Sequence, residues 1–294
     1  MSGHLYQYEA DQIEGQHRYL ELIRDYQDQP QDGRVRSSNL SMELDRLECA
    51  MLDHPPVYTI GLGELEVRRK GLILPTVADF SMVRDAPTGD FQVIQPNRWA
   101  ELIAGQDAVD LTPLFTHKLD QNGHGSCGAE GLTQGCMLAL AKATGKAPPL
   151  LNPLFMYHTT SGGRDQGSSL QANIAFALKH GVASEAVWSR KRGFLSIPSP
   201  AAYADARNYM LLEYSQVRNW IEFGTALLLG WPVYFGYLGH AIVAITLLDE
   251  ERFRFANSWS VGWGDQGAGT LHKDRIYWSY GAYAIRVITS RLAA

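Results

Sequence analysis

Residues 121–127 read Gln-Asn-Gly-His-Gly-Ser-Cys, and far downstream come Gly239-His240 and then Asn257-Ser258-Trp259. If this ordered set works as one unit, the chain must bring a sulfur and an imidazole within bonding reach although His240 follows Cys127 by 113 positions. That demand constrains the fold more than any other feature. One element has to carry the cysteine, a separate one has to carry the histidine and asparagine, and a crevice must lie between them.

The residue types are those that acyl transfer through a thiol requires: a nucleophile, a base, a group to orient the base and a donor for the oxyanion. A free thiol is only a few per cent thiolate at neutral pH. A helix N-terminus beside an imidazolium lowers its pKa to roughly 3.5–7.5. Cys127 precedes a helical pattern over 127–143, with Leu132, Met137, Leu138 and Leu140 at apolar positions. The small neighbours Gly123, Gly125 and Ser126 predict an accessible sulfur. His240, at the start of a β-prone run, is placed to act as base and acid. Asn257 can fix its ring and tautomer, and Trp259 can shelter that bond from water. The side-chain amide of Gln121 and the backbone N–H of Cys127 would form the oxyanion site.

Each residue alone has an ordinary structural reading: a core cysteine, a packed histidine, a turn with an aromatic. The joint order and the spacing favour the chemical one. His117 and His124 read as loop residues, because a local base leaves the downstream pair unexplained. Cys136 falls on the opposite helical face and reads as core, as does Cys49.

The coarse organisation is helices first, strands later. Residues 12–28 carry Tyr19, Leu22, Ile23 and Tyr26 on one face, and Pro55-Pro56 leads into a β-prone run, residues 57–60. Pro87 to Asp90 reads as a turn and Phe91 to Ile94 as a short strand. Ser168 or Ser169 can cap a helix ending at Gly181, and a stripe from Val217 to Leu228 predicts another helix. Residues 233–237, 241–248, 253–256 and 283–287 read as strands. This order suggests an α+β fold with two facing subdomains, over 105–294, preceded by a region at 1–104 with α/β character.

A composition of 45% hydrophobic and 19% charged residues fits a globular core. A formal net charge of −5 argues against nucleic acid as a partner. Arg68-Arg69-Lys70 and Arg190-Lys191-Arg192 read as solvated loops. The start of the chain has no apolar signal segment and no run long enough to span a bilayer, so a membrane is not expected. Three cysteines give no disulfide framework, which fits a cytoplasmic or other reducing compartment. No spacing suggests a metal site, and no cofactor is expected.

The chain resembles the papain-like cysteine peptidases over about 108–288. The matching stretches are Gln121 to Cys127, Leu151 to Tyr157, Gly167 through Trp188, Gly230 to Val233, Gly239 to Val243, and Phe255 to Gly267 with its Asn-Ser-Trp-x-x-x-Trp-Gly run. The resemblance implies a helical subdomain carrying Cys127 and an antiparallel β-barrel-like subdomain carrying His240 and Asn257, with the cleft between. It implies hydrolysis of a peptide or protein substrate through a thioester, without a cofactor. By the same resemblance Gly167 lines the substrate channel with its main chain and Trp263 the leaving-group side.

Four departures stand out. Gly128 replaces the usual aromatic after the nucleophile, and Ala129-Glu130 puts a charge in the first helical turn. His124 stands where a disulfide cysteine is usual. The Tyr237–His240 link is too short for the usual cleft loop, which leaves a cleft either open or filled by another segment. A catalytically silent scaffold, as in a virion or other large assembly, is the alternative reading.

Residues 1–104 lack the helical signature of the family's prosegments. They read as a prosegment, a lid or a docking module for a larger protein assembly. Leu52 to Gly61 looks like the early strand motif of lipoate-pathway octanoyltransferases, a local resemblance within 47–96. That family's later Arg-Gly-Gly and His-Gly-Pro-Gly-Gln run is missing, and a strand entered through a rigid Pro-Pro turn accounts for the stretch.

Overall fold

The computed structural model describes residues 71–75, 79, 92–105 and 109–288. The chain divides at Val67/Arg68 into two units, and every described residue belongs to the second. The readings at Tyr19–Tyr26, Cys49, Leu52–Gly61, Arg68–Lys70 and Pro87–Asp90 lie outside the described residues.

Along the chain come α1 (Trp99–Ala104), α2 (Cys127–Thr144), α3 (Pro153–Thr160), α4 (Leu170–His180) and α5 (Pro200–Ala206). Then follow β1 (Leu211–Gln216), α6 (Trp220–Leu228), β2 (Val233–Tyr237), β3 (His240–Leu247), β4 (Arg252–Ala256), β5 (Ala268–His272) and β6 (Ala282–Ile288). The helix starts are written locally. The side chains of Asn152, Ser169, Ser199 and Asn219 each accept a backbone N–H in the first turn of α3, α4, α5 and α6. Pro153 and Pro200 stand at N1, where a missing N–H costs nothing.

α2 is the axis of the fold. Cys127 to Ala141 are all buried, because the helix packs on α3 and α4 on one side and on β3 and β6 on the other. Glycine weakens a helix interior, yet α2 keeps Gly131 and Gly135 where the sheet presses closest. A Cβ on Gly131 would lie 3.0 Å from a Tyr234 ring carbon, and one on Gly135 3.3 Å from Ile285 Cγ1.

The strands form one antiparallel sheet in the order β1-β6-β2-β3-β4-β5. β2 and β3 are joined by the two-residue turn Leu238-Gly239, with φ 51° and 75°. Both values are left-handed, as a type I′ hairpin turn requires. A leucine in that conformation is costly. The tight turn fixes His240 as the first residue of β3.

Three expectations change. Residues 92–94 are irregular rather than strand: the Ile94 N–H goes to Thr225 Oγ1 at 2.9 Å and its carbonyl accepts from Trp99 Nε1 at 2.8 Å. These side chains take the groups a neighbouring strand would have paired. The helix read from Val217 starts at Trp220, because the Val217 N–H is still bound to the Ala282 carbonyl at 2.8 Å. Arg190 does not belong to a solvated loop; its guanidinium reaches the buried Glu130, whereas Lys191 and Arg192 stay exposed.

Candidate active site

Cys127 opens α2 and is fully buried. His240 opens β3, and Asn257 follows the last residue of β4. The N–H of Ala241, one residue past His240, points at the Cys127 sulfur, so the helix start and the strand start meet. His240 Nε2 lies 2.8 Å from Asn257 Oδ1, which also accepts the Ser258 N–H at 2.8 Å. A backbone donor on that atom fixes it as the amide oxygen. Nε2 therefore carries the proton of the neutral ring, which makes Nδ1 its acceptor nitrogen.

Trp259 stacks on the His240 ring with centroids 4.8 Å apart and planes at 28°. Its Nε1 donates to Gln121 Oε1 at 3.1 Å, and Ser258 Oγ donates to the same oxygen at 3.1 Å. With two donors on the oxygen, the amide nitrogen of Gln121 must face the other way; it donates to the His124 carbonyl at 2.6 Å. The Gln121 N–H is bound to the Ser258 carbonyl, and Asp120 pairs with Trp259 as an isolated bridge. The Gln121 amide and Asn257 thus share one framework. Trp263 packs edge-on against Trp259 at 5.6 Å.

The sulfur is not accessible, against expectation, and its thiol is pushed up to about 11 rather than lowered. Burial is the main cause, and the Glu130 carboxylate adds to it against N–H groups of Ala241, Gly71 and Gly128. The cover includes residues 71–73. The Gly71 N–H points at the sulfur, and the Gly71 carbonyl accepts the Ser168 N–H at 2.8 Å. The Leu72 N–H goes to the Gly239 carbonyl at 3.0 Å, and the Ile73 N–H to the Ser168 carbonyl at 3.2 Å. Leu72 pairs with Ser168 as a parallel bridge, and its buried side chain sits beside Gly236 and Tyr280. Gly167 approaches this segment so closely that a Cβ would fall on the Gly71 carbonyl oxygen. Its own N–H goes to Tyr157 Oη at 3.1 Å, so the main-chain pairing is made by Ser168 instead.

Comparison with solved structures follows from this arrangement. Xylellain, a cysteine protease from Xylella fastidiosa, matches 76% of this chain and 98% of its own at 22% identity and a TM-score of 0.56. Digestive procathepsin L 3 of Tenebrio molitor larval midgut matches 93% of this chain and 99% of its own, at 13% identity and 0.55. Procathepsin B S9 from Trypanosoma congolense matches 85% and 97%, at 12% and 0.54. The fold is that of the papain-like cysteine proteases. No family model and no curated protein matches the chain by sequence.

Within that papain-like fold the departures have local causes. The space above Gly128 is filled by Asn173, whose Nδ2 would lie 2.6 Å from an added Cβ. Asn173 Nδ2 also bonds Ser168 Oγ at 3.0 Å and Tyr234 Oη at 3.2 Å, and Tyr234 donates to the Gly128 carbonyl at 2.7 Å. At His124, Nδ1 faces Asp165 Oδ2 at 3.6 Å. Asp165 Oδ1 accepts the Gly125 N–H at 2.8 Å and the Tyr157 hydroxyl at 2.7 Å. This carboxylate ties the loop at Gly125 to Tyr157 of α3, in a chain without the disulfide usual there. Sequence reading missed Ser168, Asn173 and Asp165 as parts of the site; it offered a lid within residues 1–104 or a filled cleft without locating the cover at residues 71–73, where the one local sign is a glycine opening the apolar run Gly71-Leu72-Ile73-Leu74. Among the described residues no group of His, Cys, Asp or Glu is arranged to hold a metal ion, and no helix is long and apolar enough to cross a membrane.

Proposed function

We propose that the chain is a cysteine peptidase whose groove is closed by its own segment at residues 71–73. The observation that carries the reading is the Asn257–His240 bond beside Cys127, which holds the ring in the tautomer whose Nδ1 can accept a proton. In this scheme the Cys127 sulfur, its proton passed to His240 Nδ1, attacks the carbonyl carbon of a peptide. The oxyanion is met by the Cys127 N–H and the Gln121 amide. The C–N bond breaks as His240 returns the proton to the leaving amine. Water, deprotonated by His240, then attacks the thioester, and the acid leaves with the thiol restored. Gly167 and Ser168 would line the acyl side of the groove and Trp263 the leaving-group side.

The covering segment turns the Gly71 N–H toward the sulfur, and its Gly71 carbonyl is already bound by the Ser168 N–H. Gly71 is also the residue that permits the cover: a Cβ there would fall on the Gly125 carbonyl oxygen. Gly125 cannot yield easily, since Asp165 holds its N–H.

The test is labelling of the full chain at pH 7 with an electrophilic peptide probe, read by intact mass. Gly71→Val should raise the rate of Cys127 labelling by at least about 10-fold, because release of the cover removes the main cause of the raised thiol. Cys127→Ala should abolish it. An opened groove whose Cys127 stays inert would leave the silent scaffold as the reading.

A further inference from the structure

Glu130 brings a carboxylate into the first turn of α2, three residues past the nucleophile, with no exposed surface. Such a charge is tolerated when it is paired and hydrogen-bonded. Its partner comes from 60 positions downstream. Arg190 Nη2 donates to Glu130 Oε1 at 2.7 Å and Nη1 to Oε2 at 3.2 Å, a two-pronged contact. Ser126 Oγ donates to Oε1 at 3.3 Å. The same Nη2 also donates to the carbonyl of Asp120, the residue before Gln121. Arg190 is itself anchored: its backbone N–H goes to both carboxylate oxygens of Glu185, at 3.0 and 2.9 Å.

One guanidinium therefore joins the first turn of the nucleophile helix to the bridge residue Asp120, next to Gln121. We propose that Arg190, held by Glu130, is a positioning residue that sets the separation between the two oxyanion donors, the Cys127 N–H and the Gln121 side chain. The inference rests on the peptidase reading of the same site. A brace for stability alone would not need these residues, because a buried ion pair is commonly matched by an apolar pair of similar volume. A planar fork that reaches a carboxylate and a carbonyl together is what Arg supplies and Lys does not.

The experiment compares peptide-amide hydrolysis with alkylation by iodoacetamide, a reaction that forms no oxyanion. It uses the full chain in the Gly71→Val background. Arg190→Lys keeps the charge beside Glu130. The double change Glu130→Leu with Arg190→Met removes both charges and refills the space, which keeps the test open if a single change fails to fold. Both are expected to lose about 10²-fold in kcat, the cost of a misplaced oxyanion donor. KM and the alkylation rate should stay within about threefold. A well-folded double variant with the parent kcat would overturn the proposal. So would alkylation falling in step with kcat, since the thiol itself would then be displaced. If the parent neither hydrolyses nor alkylates, the peptidase reading falls and this inference with it, a pattern distinct from the other two.

Discussion

At Asn257 a single oxygen does two jobs, accepting from Ser258 and from His240. Removing it leaves the imidazole free to flip or to take the other tautomer, although Trp259 still stacks on the ring. Asn257→Ala in the Gly71→Val background should therefore lower kcat by about 10²-fold, the scale of a lost acid–base arrangement. KM for a fluorogenic peptide should change little. A matching Gln121→Ala should lose about 10²–10³-fold in kcat. At this scale the sequence named residues that the structure gathers around Cys127, because acyl transfer through a thiol would demand those side chains. The direction of the thiol's pKa was not legible in it. It is set by burial in a site that includes Gly71, 56 positions upstream of Cys127, and nothing in residues 121–127 announces that neighbour.

Elements read well where one short stretch specifies them. The capped, leucine-bearing helix at 170–180 and the aromatic and β-branched strands β2, β3, β4 and β6 follow local patterns. β1, with its Leu-Leu-Glu-Tyr-Ser-Gln run, and β5, with Ala-Gly-Thr-Leu-His, carry weak signals and are made strands by their neighbours β6 and β4. The same holds for α1, a short helix whose Trp99 is fully buried against α6. Its ring lies where a Cβ on Gly224 would go, and meets Trp220 edge-on at 5.7 Å. Gly224 sits inside a helix, where alanine would by propensity be worth about 1 kcal/mol more. Overpacking should dominate: Gly224→Ala is expected to destabilise the chain by about 1–3 kcal/mol, seen as a lowered midpoint in urea unfolding. An unchanged or raised midpoint would mean that Trp99 moves aside at no cost.

At the scale of the whole unit, three backbone hydrogen bonds among the described residues join the segment 71–73 to the groove between α2 and the β3 strand start, two with Ser168 and one with Gly239. Three such bonds, each worth about 1 kcal/mol net, together with the burial of Leu72, make a cover that opens far more easily than the helix beneath it. Hydrogen exchange should resolve the two. In the unmodified chain the amides of Leu72 and Ile73 should exchange faster than those of Leu132 to Leu140 in α2, yet slower than an unprotected peptide. In Gly71→Val they should exchange at nearly the unprotected rate, with the amide of Ser168 following them because its acceptor is Gly71 itself, while α2 keeps its protection. Loss of protection throughout α2 would show that the segment is part of the core instead of a cover over it.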